Sequence, residues 1–332
     1  MSKTPDGREP SRFIDVVIPA HEKDFETLEH SVASVYRCCS EVRRVVVVSR
    51  HAWPGSADAK VEWFDEASDV WPFRFSDFEG FGCPGGWLFQ QLLKLYAPLV
   101  MPDLGANVLV CDADVVWLKE EGVQFLEGNG LDELPAAFAC SFDSESCPPI
   151  RSAVDLHRYD AFVPAVLPGL EKLQPGKETA VCHHALLQRD VLAALVARVE
   201  EAHSGQSFWE VFREAARECQ GRASEYELYQ AFARRFFPER VRLRPLTFAV
   251  VGDLRRSPAA DFVVCHSHLR GLSADELKDR EGVINGNTQA EILRRLTQAQ
   301  PPELAALISS SGMLCCEFGA PCNYQLRLMR RR

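Results

Sequence analysis

No apolar run in these 332 residues approaches the ~20 needed to cross a bilayer as a helix, so no membrane span is expected. The first twelve residues, MSKTPDGREPSR, lack the apolar core of a signal peptide, which makes a cytoplasmic protein the expectation. There is no CxxC among the twelve cysteines; a zinc ribbon or thioredoxin-like redox site has no spacing to rest on, and reduced thiols are expected. Glycine-rich phosphate fingerprints are missing too: neither GxGxxG nor GxxxxGK[ST] occurs, which disfavours a dinucleotide dehydrogenase or a P-loop NTPase. Basic residues are the minority, 37 Lys and Arg against 47 Asp and Glu for a formal charge of −10, and the one dense basic run is Arg330 to Arg332. Such a surface repels a phosphate backbone, so no nucleic-acid partner is expected.

What is present is an ordinary globular composition, 46% hydrophobic and 25% charged, with alternating strand and helix patterns. Residues 1–12 read as a flexible leader, 13–300 as a single catalytic domain, and 301–332 as a partly ordered tail beyond Pro301 and Pro302. Short β-branched runs predict buried strands at 13–18, 45–48 and 61–64, with a helix over 25–39 between the first two. Residues 65–86, rich in Phe, Asp, Gly and Pro, predict a long ordered loop, and 87–100 a strongly patterned helix. Further strands are expected at 107–111, 136–140, 241–243, 248–251 and 262–265. Residues 155–236 read as mostly helical around a loop at 174–184, and a last helix is expected at 289–298. This rhythm predicts an α/β fold with a mostly parallel central sheet flanked by helices.

The most informative segment is NVLVCDADVVWL, residues 107–118. Asp112 and Asp114 follow a buried strand and, two apart on an extended backbone, would project the same way. At the carboxyl end of a parallel sheet they would face the crevice where ligands bind. Two carboxylates there need a counter-charge, and a hard divalent cation completed by substrate phosphates supplies it. The DxD spacing alone is common, but the apolar flanks Val108 to Val110 and Val115 to Trp117 argue against a solvated turn.

The first strand exits through Pro19, Ala20, His21 and Glu22, polar residues that open a helix and could bind a base, ribose or phosphate. Glu22 and Asp24 could equally just complement the helix dipole. Gln91 and Lys94, three apart on the 87–100 helix, either reach a bound phosphate or form that helix's wet side. His183 and His184 read as opening a helix after a Gly/Pro loop, a fair place to bind a ligand. Ser224 and Glu227 make an S-x-x-E capping box, while Glu225 is a candidate general base.

Together, VVIPAHEKDF, GGWLFQQLLKLYAP, VLVCDADVVWL, CHHALLQ, SEYELYQAF and VVCHSH resemble, in the same order across roughly residues 13–270, a family of predicted GT-A-type glycosyltransferases. The resemblance implies a GT-A-like, Rossmann-type nucleotide-diphospho-sugar transferase fold. It implies a hexosyltransferase with a UDP- or GDP-linked donor, a hydroxyl acceptor and a Mn²⁺ or Mg²⁺ ion. Asp112 would contact ribose or metal, and Asp114 would bind the metal that bridges the sugar-nucleotide phosphates and is the catalytic member of the pair. Pro19, Ala20, His21, Glu22, Ser49 and Arg50 would line the nucleotide pocket. Gln91, Lys94, His183 and His184 would bind donor or acceptor, and His266 or His268 in CHSH would supply a late metal ligand.

Two alternatives stand beside this. DADVV also fits the DxDx[TV] of haloacid-dehalogenase-type phosphatases, with FAVVGD imitating the later metal motif. That motif's GDxxxD, however, would need an acid where Ser257 stands, and two or three strands precede the supposed nucleophile. A non-catalytic module that holds a sugar nucleotide without turnover is the other.

Overall fold

The computed structural model describes residues 13–54, 61–80, 85–119, 123–127, 135–140, 142–143, 156–172, 174–244, 246, 248–250 and 261–265. His266, His268, the 289–298 helix and the 301–332 tail lie outside the described residues.

The central sheet has five strands. β1 (Ile14–Pro19), β2 (Val42–Ser49), β3 (Val61–Asp65) and β4 (Asn107–Cys111) are parallel in the order β3-β2-β1-β4. β9 (His184–Gln188) closes the β4 edge antiparallel, Cys111 opposite His184. Shorter strands form side ribbons: β5 (Val115–Trp117), β6 (Ala137–Ala139), β7 (Phe142–Asp143), β8 (Glu178–Thr179), β10 (Val241–Leu243), β11 (Phe248–Val250) and β12 (Phe262–Val264). β6 pairs with β10, β7 with β8, and β5 with β12, which also carries β11.

Strand residues alternate between two cores, as a sheet covered on both faces requires. Val16, Ile18, Val45, Val47, Leu109 and Cys111 pack under α1 (Phe25–Cys38). Val17, Val46, Val48, Val108 and Val110 pack under α2 (Gly85–Val100) and the helices Phe162–Val166, Arg189–Ala202, Phe208–Glu218 and Glu225–Phe236. The chain therefore switches direction between β1 and β4: α1 leads to one side of β1 and α2 to the other. Their adjoining carboxyl ends, with Val17 opposite Val110, form the crevice of a doubly wound sheet.

Two expectations change. His183 and His184 do not open a helix; they lead into β9, and the helix starts at Arg189. β9 is buried on both faces, so Leu186 and Leu187 make a continuous apolar run, which periodicity cannot tell from helix. The second concerns Asp112 and Asp114. β4 ends at Cys111, and Asp112 to Asp114 form a tight turn into β5, closed by Val115 N–H donating to the Asp112 carbonyl at 3.3 Å. The two carboxylates share a direction because the chain turns there, not because it stays extended.

Candidate active site at the β4–β5 turn

The turn is held at each residue. Asp112 N–H donates to the His183 carbonyl at 2.9 Å, and Cys265 N–H donates to the Asp114 carbonyl at 2.8 Å. From α1, the Ser31 hydroxyl donates to the Ala113 carbonyl at 2.9 Å, and Ser34 accepts from Trp117 N–H at 2.9 Å. Buried backbone polar groups demand such partners, and here two serines one helical turn apart supply them. The turn is thus fixed against α1, β9 and β12 at once.

Asp112 follows Cys111, which faces α1, so its side chain turns to the α2 face and meets Lys94. The Lys94 ammonium donates to Asp112 Oδ1, to Glu225 Oε1 at 2.7 Å and to the Tyr226 hydroxyl at 3.0 Å. Its nitrogen also lies 4.7 Å from the Tyr226 ring centroid. Tyr226 in turn donates to Asp112 Oδ1 at 3.1 Å, and His183 Nδ1 lies 2.8 Å from Asp112 Oδ2. Lys94 is only 2% exposed, so Gln91 and Lys94 are not a wet face of α2. Gln91 instead accepts from Glu225 N–H at 3.1 Å and joins α2 to the Glu225–Phe236 helix.

The electrostatics follow from one buried cation between two acids. Burial alone would lower the Lys94 pKa, but the Asp112 and Glu225 carboxylates outweigh it and the net shift is upward. Burial would raise Asp112, yet Lys94 and His183 hold its carboxyl well below the usual range. Glu225 goes the other way: burial raises it, and the neighbouring Asp112 charge adds to that against the pull of Lys94. Burial drives the Tyr226 hydroxyl well above its usual value.

From sequence Glu225 is a candidate base; the structure buries its carboxylate on Lys94, with 5% of the side chain exposed. The capping box forms by half: Ser224 Oγ accepts from Glu227 N–H at 3.3 Å. The Glu227 carboxylate is drawn instead to the Thr179 hydroxyl at 2.6 Å and to buried Lys172 at 3.3 Å. His184 does not join the site. It is packed against Trp117, Phe125 and Phe262, and burial lowers its pKa to about 3.

The proposed nucleotide-pocket residues align along the same carboxyl edge. Pro19 accepts from the Gln90 amide at 3.4 Å, and Ala20 N–H donates to the Val48 carbonyl at 2.9 Å. His21 Nδ1 accepts from Lys23 N–H at 3.2 Å, and Glu22 pairs with His51 at 3.0 Å. Buried Ser49 donates to the His51 carbonyl at 2.7 Å, and Arg50 is exposed. Tyr226 and Ser31 were not among the sequence candidates. The signal for the first was a lysine set in the apolar α2 pattern, which needs buried acid and hydroxyl partners.

One ligand atom each from Asp112, Asp114 and His183 lie within 4.8 Å of one another. Opposite ligands on a cation shell of ~2.1 Å radius are ~4.2 Å apart, so this donor set of two carboxylates and an imidazole fits a divalent ion.

No protein-family model matches this chain, and no curated protein matches it. Among solved structures it is similar to the apo form of mouse xyloside xylosyltransferase 1, at 13% identity over 70% of this chain and 85% of that one, with a TM-score of 0.38. It is also similar to the galactosyltransferase LgtC in complex with donor and acceptor sugar analogues, at 12% identity over 88% of this chain and 95% of that one, with a TM-score of 0.41. At such low scores neither superposition carries weight for the chemistry, which the side chains of this site must supply.

Proposed function

We propose that this chain is a metal-dependent glycosyltransferase acting on a nucleotide-diphospho-sugar. The observation that carries the reading is the Asp112–Asp114 turn at the β1/β4 switch point, where both acids stand beside an imidazole and a buried lysine pairs with Asp112. Asp112 and Asp114 are the acidic residues that answer to a Mn²⁺ or Mg²⁺ ion, with one imidazole as the further ligand, for which His266 or His268 is the candidate from sequence. When bound, the ion neutralises charge on the departing diphosphate.

The chain's own residues do the remaining work. In transfer the bond from the anomeric carbon to the diphosphate oxygen breaks, a bond to the acceptor oxygen forms, and the acceptor's proton passes to the departing diphosphate or to solvent. The β1 exit, Pro19 to Glu22, and the β2 exit, Ser49 and Arg50, bind the nucleoside. Arg50 offers an exposed cation at the rim. Lys94 keeps Asp112 ionised and fixes its orientation, and Glu225 and Tyr226 hold Lys94 in place. In this reading Glu225 is a positioning residue for Lys94. The phosphatase alternative needs Asp112 as a free nucleophile, whereas Lys94, Tyr226 and His183 engage both of its oxygens.

The test is a panel of UDP- and GDP-sugars, hexoses first, scored by released nucleotide with Mn²⁺ and with excess EDTA. One donor should be hydrolysed slowly or transferred, only with the ion, and Asp114→Ala should abolish that turnover while its thermal melt is unchanged. Full activity of Asp114→Ala, or in EDTA, contradicts the reading. Nucleotide binding without turnover of any donor would favour the binding module.

A further inference from the structure

We infer that His183 is the imidazole ligand of the divalent cation and that Asp112 acts on the ion through it, leaving Asp114 as the direct acidic ligand. This rests on the metal-dependent reading above and divides the roles within the acidic pair.

Asp112 is crowded with donors. Lys94 and Tyr226 both reach Oδ1, and His183 Nδ1 lies 2.8 Å from Oδ2. A carboxylate that takes a lysine and a phenol hydroxyl is an acceptor only, so the His183 proton sits on Nδ1 and the lone pair on Nε2. That is the arrangement in which a carboxylate orients a metal-binding histidine: it selects the tautomer, fixes the ring and raises the basicity of the other nitrogen.

The backbone supports it independently. His183 holds a φ of +58°, in the left-handed region that histidine enters more readily than most non-glycine residues, just before β9. Its carbonyl receives Asp112 N–H at 2.9 Å, so backbone and side chain of His183 are both tied to the same aspartate. The neighbouring His184 has its ring in the aromatic core, which leaves His183 as the member of the pair that faces the acids. An imidazole among oxygen donors shifts preference toward Mn²⁺ over the harder Mg²⁺.

The test uses the full chain and Mn²⁺ alone, read by pulsed EPR for nitrogen coupling and by titration for affinity. Wild-type protein should show imidazole nitrogen coupling to the bound ion. His183→Ala and His183→Gln should lose it, with Mn²⁺ affinity down about 10- to 100-fold and a smaller loss for Mg²⁺; His183→Gln, which keeps an amide donor for Asp112, should melt closer to the wild type than His183→Ala. Asp112→Asn should weaken Mn²⁺ binding in the wild type but add little in His183→Ala, as for two residues acting as one unit. Nitrogen coupling that survives both His183 substitutions and disappears in His266→Ala or His268→Ala overturns the assignment, and additive losses overturn the role given to Asp112. Neither result touches sugar transfer, which the donor panel decides separately; a wild type that binds no Mn²⁺ overturns this inference and the metal dependence together.

Discussion

At the scale of single residues, Lys94 decides the character of the site. A buried ammonium between Asp112 and Glu225 is tolerable only while both partners remain, because breaking a buried pair strands a charge. Lys94→Met should therefore cost about 3–5 kcal/mol in urea unfolding; a loss under ~1 kcal/mol, the range of an exposed pair, would contradict this. His184 gives a pH signature of its own. Its folded pKa of about 3 lies below its ordinary 6.5, so the unfolded chain takes up a proton first as pH falls. Stability should decline from about pH 6.5 toward pH 3, by up to about 1.4 kcal/mol per pH unit. In His184→Phe that slope should flatten. An identical slope in the variant would show that other groups produce it.

At the scale of elements, the site is made by turns and helix ends pinned to a rigid sheet. β1, β3, β4 and the two long helices were legible from sequence, to within a few residues, because β-branched runs and helical apolar stripes state their own period. β9 was not, since a strand buried on both faces has no alternation to read. Nor was the β4–β5 turn: nothing local in Asp112, Ala113 and Asp114 reveals that Ser31, His183 and Cys265 will hold it from distant parts of the chain. Those tertiary bonds supply a prediction. Ser31→Ala should destabilise by about 1 kcal/mol and also weaken Mn²⁺ binding, as measured by denaturation and titration. Lost stability with unaltered Mn²⁺ affinity would separate α1 from the site. The 65–80 segment behaves similarly: Phe73 is wedged among Phe78, Phe89, Tyr96 and Trp209, so Phe73→Ala should cost about 3–5 kcal/mol.

At the scale of the whole molecule, the doubly wound order β3-β2-β1-β4 brings the β1 exit, the β2 exit and the acidic turn to one edge of the sheet. That convergence was readable as a pattern, because each candidate followed a predicted strand. The network behind it was not, since Lys94, Tyr226 and Glu225 come together from α2 and a helix more than a hundred residues later. Among the described residues no helix is long and apolar enough to cross a membrane, and the seven cysteines found there are free thiols. The most direct test is calorimetric titration of UDP and GDP into the protein, with Mn²⁺ and then with the ion removed. The account predicts that one of the two nucleotides binds at least tenfold more tightly (about 1.4 kcal/mol) with Mn²⁺, and that Asp114→Asn erases this gain; equal affinity with and without the ion would contradict it.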